Sequence, residues 1–173
     1  SMFKKDLEAA ISYEPNHVSL YGLEIHKRTP FGKNVQICNW VNENQEQYEE
    51  MYLWAVSRLK AAGLIQYEVS NFSRKGNESR NNLLVWSGKE YLGFGTGAHS
   101  FYEKTRRANI GSIKTYISNL KKNTLPFQFE EQLSNTQLAL EFLMLGLRCS
   151  KGVNLKGWVE RFKLKWSAQE ERY

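Results

Sequence analysis

The stretch HVSLYGLEI, His17 to Ile25, is dense in β-branched and aromatic side chains with little polar alternation. It reads as a strand buried on both faces. Ahead of it Phe3, Leu7, Ala10 and Ile11 recur at helical spacing among charged residues, and Pro15-Asn16 closes that helix. A helix followed by a doubly buried strand is the rhythm of an α/β fold with a parallel sheet. After Thr29-Pro30 and Gly32 the chain reads as a polar loop containing Cys38 and Trp40. Asn42 then caps a helix whose N3 residue, Gln45, completes a capping-box pattern. Tyr48, Met51, Ala55, Leu59 and Ala62 mark that helix's apolar stripe, and Gly63 stands where a C′ glycine belongs. LIQYEVS, residues 64–70, alternates apolar and polar side chains, so a second strand follows and a βαβ unit is complete by residue 70.

Downstream, residues 71–82 are polar and read as a loop, and Leu83 to Trp86 is a short apolar run entering a strand. Residues 91–101, YLGFGTGAHSF, form a glycine-rich segment between apolar ends. Arg106 to Ile110 reads as a short edge strand. Ile113, Ile117 and Leu120 share one face of a helix over 112–121. Ser134 and Gln137 then open a helix that is apolar nearly all round, from Leu138 to Leu147, and therefore expected to be buried on most sides. Gly152 ends it, and Asn154 caps another helix with Leu155, Trp158, Val159 and Phe162 as its inner stripe. The last 40 or so residues thus read as all-helical, the opening of a second, small domain.

The chain has 173 residues, 41% of them hydrophobic and 24% charged, with a formal net charge of +6. That composition excludes disordered and collagen-like classes. The basic excess permits a nucleic-acid or membrane-surface contact, although ordinary soluble charge explains it as well. No apolar run approaches the roughly 20 residues of a bilayer span. The first residues lack a signal core, so a cytoplasmic location is expected, and Ser1 reads as an appended residue ahead of Met2. Cys38 and Cys149 lie far apart with no Cys or His beside either, so no zinc or iron–sulfur ligand run can be assembled. They read as two reduced thiols, and no metal site is expected.

Several segments could carry chemistry. Gly93, Gly95 and Gly97 are spaced closely enough for backbone N–H groups to approach an anion, but they miss the dinucleotide spacing. They suit a strand end where a flat ligand meets bare backbone, or a plain tight turn. Glu24 sits in an otherwise apolar strand, where an unpaired buried carboxylate is costly. It belongs either at the strand's ligand-binding mouth or at an exposed end. His17, His26 and His99 are scattered, and no dyad follows from their spacing. Ser79 to Trp86 places a guanidinium and two amides beside an indole, a combination suited to a planar anion. The helices around 134–149 and 154–163 could form a helix-turn-helix, with Lys156, Arg161, Lys163 and Lys165 toward phosphates; a purely structural helix pair is the plainer reading.

Four of these segments stand in one order: His17-Val-Ser-Leu-Tyr-Gly-Leu-Glu24 with Thr29-Pro-Phe-Gly32, then Tyr67-Glu-Val-Ser-Asn-Phe72, then Tyr91-Leu-Gly-Phe-Gly-Thr-Gly-Ala-His-Ser100. Together they resemble the oxygen-independent coproporphyrinogen III oxidase family of radical S-adenosylmethionine (SAM) proteins, and more closely its haem-chaperone (HemW-type) branch. The resemblance runs from about residue 3 to residue 165. It implies an α/β fold made of the last βα units of a partial (β/α) radical SAM barrel over residues 1–125, followed by the start of a truncated helical C-terminal domain over 126–173.

In that family a Cys-x-x-x-Cys-x-x-Cys run near the N-terminus holds a [4Fe–4S] cluster, and the early barrel strands supply most SAM contacts. This chain carries neither. The resemblance therefore implies a C-terminal fragment of an oxidoreductase-like parent, inactive alone in radical chemistry and without tightly bound SAM or cluster. It places Glu24 at the end of a late barrel strand and Gly95, Gly97, Ala98 and His99 beside the SAM pocket, with no catalytic residue assigned. The branch's His-Asn-x-x-Tyr-Trp motif, implicated in haem binding, aligns with Asn81-Asn82-Leu83-Leu84-Val85-Trp86. Arg80, Asn81, Asn82 and Trp86 become candidates for contact with porphyrin or haem. Here Asn81 replaces the His and Val85 the Tyr, and an amide ligates haem iron poorly compared with imidazole. His99 is the nearest alternative in sequence. The competing reading is a stand-alone helix-pair module for nucleic acid or a protein partner, with nucleic acid the less expected of the two.

Overall fold

The computed structural model describes residues 2–164. These fall into two compact units that divide between Glu78 and Ser79. Among the described residues no helix is long and apolar enough to cross a membrane.

The first unit opens with α1 (Met2–Ser12) and β1 (His17–Ser19). Two short helices follow, α2 (Pro30–Lys33) and α3 (Val35–Glu43), then α4 (Gln45–Ala61) and the strands β2 (Ile65–Glu68) and β3 (Asn71–Ser73). The expected long strand over 17–25 is confined to its first three residues. Beyond them the chain leaves the sheet, and Tyr21 and Leu23 are exposed. The sheet order is β1-β3-β2, with β3 antiparallel to both neighbours. The parallel pairing expected between β1 and β2 is therefore replaced, because the chain reverses straight after β2. Ser70 takes a left-handed φ of 84°, and Asn71–Ser73, expected as loop, turns back between the two strands.

The polar loop expected around Cys38 is helical. The Asn34 side chain accepts hydrogen bonds from the Gln36 and Ile37 N–H groups at 3.0 and 3.2 Å and starts α3 eight residues ahead of Asn42, which lies inside that helix. At the far end of α4 the expected glycine stop is realised. Gly63 adopts φ 80°, its N–H donates to Lys60 C=O and the Leu64 N–H donates to Leu59 C=O, both at 3.0 Å. This is a Schellman closure, in which only glycine takes the left-handed position without strain. It carries Leu64 into the core formed by Leu7, Ala55, Leu59 and Phe72, with Phe3, Ile11 and Val18 around them.

Arg58 on α4 grips Glu8 of α1 through two hydrogen bonds of 2.6 and 2.7 Å. The hydrogen bonds from that guanidinium hold the Glu8 carboxyl below its ordinary value of 4.5, against a smaller opposing effect of burial. A carboxyl whose pKa is depressed by folding stabilises above its unfolded pKa, and that contribution is lost as pH falls through the folded value. Glu8→Gln should therefore narrow the stability gap to wild type as pH drops below about 4.5, measured by urea titration at several pH values. A gap that stays constant with pH would exclude this pair as the cause.

In the second unit come α5 (Arg80–Trp86), β4 (His99–Tyr102), β5 (Thr105–Asn109), α6 (Ile113–Lys121), β6 (Phe127–Gln132), α7 (Asn135–Gly146) and α8 (Leu155–Phe162). The segment expected to enter a strand at Leu83 is instead α5, started by the Ser79 hydroxyl, which accepts the Asn82 N–H. β5, expected at an edge, is the central strand of an antiparallel β4-β5-β6 sheet, because residues 127–132, unmarked by alternation, pair along it. Arg106 and Arg107 of β5 face Glu131 and Glu130 of β6, and these opposite charges hold the register.

α7 carries the full capping box of Ser134 and Gln137 but ends at Gly146, six residues ahead of the stop expected at Gly152, which instead takes a left-handed φ of 64° in the turn before α8. The helix is not buried on most sides: Leu140, Met144 and Leu147 are exposed along one stripe, while Ala139 packs inward. The Trp158 indole N–H on α8 donates to Ala139 C=O at 2.8 Å, tying the two helices together. The described strands thus form two open sheets of three strands each rather than a closed barrel.

Candidate functional site

Glu24 lies in the first unit and the other candidate residues in the second. Beyond β1 the Glu24 side chain is almost fully exposed, and its carboxylate stands 3.7 Å from the His26 ring.

The glycine-rich segment is closed at its neck by mutual backbone hydrogen bonds between Tyr91 and Phe101, of 2.8 and 2.9 Å. Within it Gly95 and Gly97 take left-handed φ values of 98° and 66°. Their N–H groups are spent internally: Gly95 donates to the Tyr116 hydroxyl at 3.2 Å and Gly97 to Ile110 C=O at 3.2 Å. The Ala98 N–H is directed at Gly95 C=O, which also accepts from the Asn109 side chain. Gly93 serves another purpose. A Cβ there would lie 2.1 Å from the His99 carbonyl oxygen, so the segment folds flat against the start of β4. The arrangement is a rigid backbone platform ending in the exposed His99 ring, with these three amides turned to protein acceptors rather than to an anion.

Arg80 and Asn81 are exposed on the first turn of α5, and Asn82 is half-buried behind them. Asn81 and Val85, four residues apart, share one helix face, whereas Asn82 and Trp86 share another. The Arg148 guanidinium covers the Trp86 ring at 4.5 Å. Among the described residues Trp86 Nε1 and Arg148 Nε are buried donors with no acceptor within reach. Trp86, Leu83, Phe142, Val153 and Trp158 line a cavity of about 360 Å³. Arg148 is the contributor that sequence reading missed, since nothing in the order of residues brings position 148 onto position 86.

Among the described residues no three His, Cys, Asp or Glu side chains converge as a metal site. A [4Fe–4S] cluster needs a set of cysteine thiolates. This chain has only Cys38, on α3 of the first unit, and Cys149, after α7 of the second, so its residues do not fit that cluster. Of the basic side chains placed toward phosphates, Arg161 is turned back over the Phe142 ring at 4.7 Å, and Lys165 lies outside the described residues.

A family model described as the HemN C-terminal domain matches residues 133–168. The heme chaperone HemW of Bacillus subtilis (strain 168) is 35% identical over 156 residues, covering 90% of this chain and 41% of that protein. The mitochondrial radical S-adenosyl methionine domain-containing protein 1 of Danio rerio is 29% identical over 166 residues, covering 91% of this chain and 37% of its own. Among solved structures, the radical SAM enzyme coproporphyrinogen III oxidase (HemN) from Escherichia coli has a TM-score of 0.72 at 13% identity. It matches over 94% of this chain and 40% of that one, a likeness of fold alone. The chain spans about two fifths of the length of the curated relatives it matches.

Proposed function

Because the chain belongs to the HemN/HemW family of radical S-adenosylmethionine proteins, we propose that it serves haem or porphyrin handling as the later part of a HemW-type protein. Residues 1–125 would correspond to barrel-derived structure and 126–173 to the opening of the helical C-terminal domain. The family-model match within 133–168 supports the second assignment. The likeness to a heme chaperone, which runs over 90% of the chain and through both units, is the observation that carries the reading. SAM and a [4Fe–4S] cluster would belong to the complete protein. With two cysteines in separate units, this polypeptide would not deliver an electron to SAM by itself.

In this reading the first turn of α5 is the haem-contact surface, with Arg80, Asn81 and Asn82 at its edge and Trp86 behind. An amide at position 81 binds the ring and its substituents rather than the iron. Haem added to the 173-residue chain should shift its Soret band. Asn81→Leu, at an exposed position, should abolish most of that shift, and Asn81→His should strengthen it by restoring an imidazole. A spectrum identical in wild type and Asn81→Leu would reject this surface. At the gene level, an in-frame Cys-x-x-x-Cys-x-x-Cys upstream of Phe3 is expected.

A further inference from the structure

The second unit contains a larger cavity, of about 720 Å³, that neither the glycine-rich platform nor the Asn82–Trp86 face of α5 accounts for. Its volume lies within the range of about 300–1,000 Å³ typical of small-molecule sites. It opens beside Val85 and so continues the face of α5 that carries Asn81.

Two kinds of side chain converge on it. Aromatic walls come from Tyr91 and Phe101 at the neck of the glycine-rich segment, and from Phe142 and Phe162, whose rings meet edge to face at 5.7 Å. Cations come from Lys89, Lys104 and Arg161. Among the described residues none of these three has a carboxylate within 4.0 Å. The Arg161 guanidinium lies over both phenylalanine rings, 4.7 Å from Phe142 and 5.3 Å from Phe162. Two carboxylates also line the cavity, and among the described residues only one of them is paired with a cation, leaving Glu90 charged. Glu141 is held by Arg106, and Glu90 accepts the Glu103 N–H at 2.8 Å. With Lys89, Lys104, Arg106 and Arg161 against Glu90 and Glu141, the lining carries an excess of positive charge, and a pocket with aromatic walls and excess cations selects a flat apolar molecule that bears carboxylates.

We infer that this cavity seats the carboxylate-bearing edge of a porphyrin, with Lys89 and Lys104 as its anion contacts and the half-buried Tyr91 and Phe101 rings against its plane. The inference rests on the haem-handling reading above, but assigns the ligand's acidic edge to residues outside α5 and requires no iron. Both lysines are exposed. Lys104 occupies the second position of the two-residue turn joining β4 to β5, where Glu103 and Lys104 have φ of 48° and 60°. Glutamine tolerates that conformation about as well as lysine does, so charge can be removed there without altering the turn.

The test uses the 173-residue chain and three probes: metal-free mesoporphyrin, its dimethyl ester and haem. Wild type should bind mesoporphyrin by fluorescence, and a K89Q/K104Q double variant with an unchanged melting curve should weaken that binding at least about tenfold. The dimethyl ester, having no carboxylate, should bind as weakly to wild type as the acid does to the double variant. Equal affinity of wild type and K89Q/K104Q for mesoporphyrin overturns the inference, as does equal binding of acid and ester. Haem binding that depends on Asn81 but ignores both lysines, with no mesoporphyrin bound, overturns the cavity and leaves the haem reading standing. Failure to bind either pigment overturns both.

Discussion

Phe72→Ala is expected to destabilise the first unit by about 3–5 kcal/mol, the range for truncating a buried aromatic whose cavity cannot collapse. Phe72 is fully buried at the centre of β3, opposite Val18 on one side and Gln66 on the other. It also touches the core built from Leu7, Ala55, Leu59 and Leu64. One side chain therefore joins the strand inserted into the middle of the sheet to both helices that cover it. Small domains bury less of their surface than large ones, and total stabilities are about 5–15 kcal/mol. The loss would remove much of what holds this unit. Hydrogen exchange should show protection vanishing across residues 17–19 and 65–73. Protection that survives there, with a urea midpoint displaced by less than about 1 kcal/mol equivalent, would mean that β3 is not the keystone of this sheet.

Gly93→Ala should be the most damaging single methyl in the glycine-rich segment. The new Cβ would meet the His99 carbonyl oxygen at 2.1 Å, and a backbone atom within a paired strand cannot swing away as a side-chain tip can. The expected cost is about 3 kcal/mol, the upper end for overpacking, with displacement of the platform that presents His99. Gly97→Ala supplies the contrast. Its position is open, with no atom of the described residues beyond its chain neighbours within 4 Å, but its φ of 66° is left-handed, so alanine incurs only the conformational cost of about 1–2 kcal/mol. Thermal melts of the two variants decide the matter. If Gly97→Ala proves the more harmful, close packing is not what glycine supplies at position 93.

The features legible in the residue order were those governed by local chemistry. The Gly63 stop, the Ser134–Gln137 capping box and the Asn154 cap depend on side chains three or four residues from the backbone groups they serve. The α/β class followed from helical and apolar periodicity, and four short segments in register pointed to the family. The polar segment around Cys38 misread as loop because α3 owes its start to Asn34, an Asx cap that lies next to another short helix, α2. α5 misread as a strand entry because seven residues are too few for a helical period to declare itself.

Pairing was the other limit. β3 is three residues long and polar at both ends, and only the reversal at Ser70 inserts it between β1 and β2. β6 shows no clean alternation, and its place beside β5 is visible only once Arg106 and Arg107 are seen facing Glu131 and Glu130. The exposure of Leu140, Met144 and Leu147 likewise depends on which elements pack around α7, and not on the composition of the helix.

By itself, then, the order of amino acids determined the Ser134–Gln137 and Asn154 caps, the Gly63 stop, the α/β class, the family and the lack of a cysteine set for a cluster, since each rests on near neighbours or on residue identity. Tertiary structure decided which strands pair, that Arg148 lies on Trp86, and that Lys89, Lys104 and Arg161 gather around aromatic walls. Those contacts join residues tens of positions apart, and only the closure of the chain on itself brings their side chains within reach.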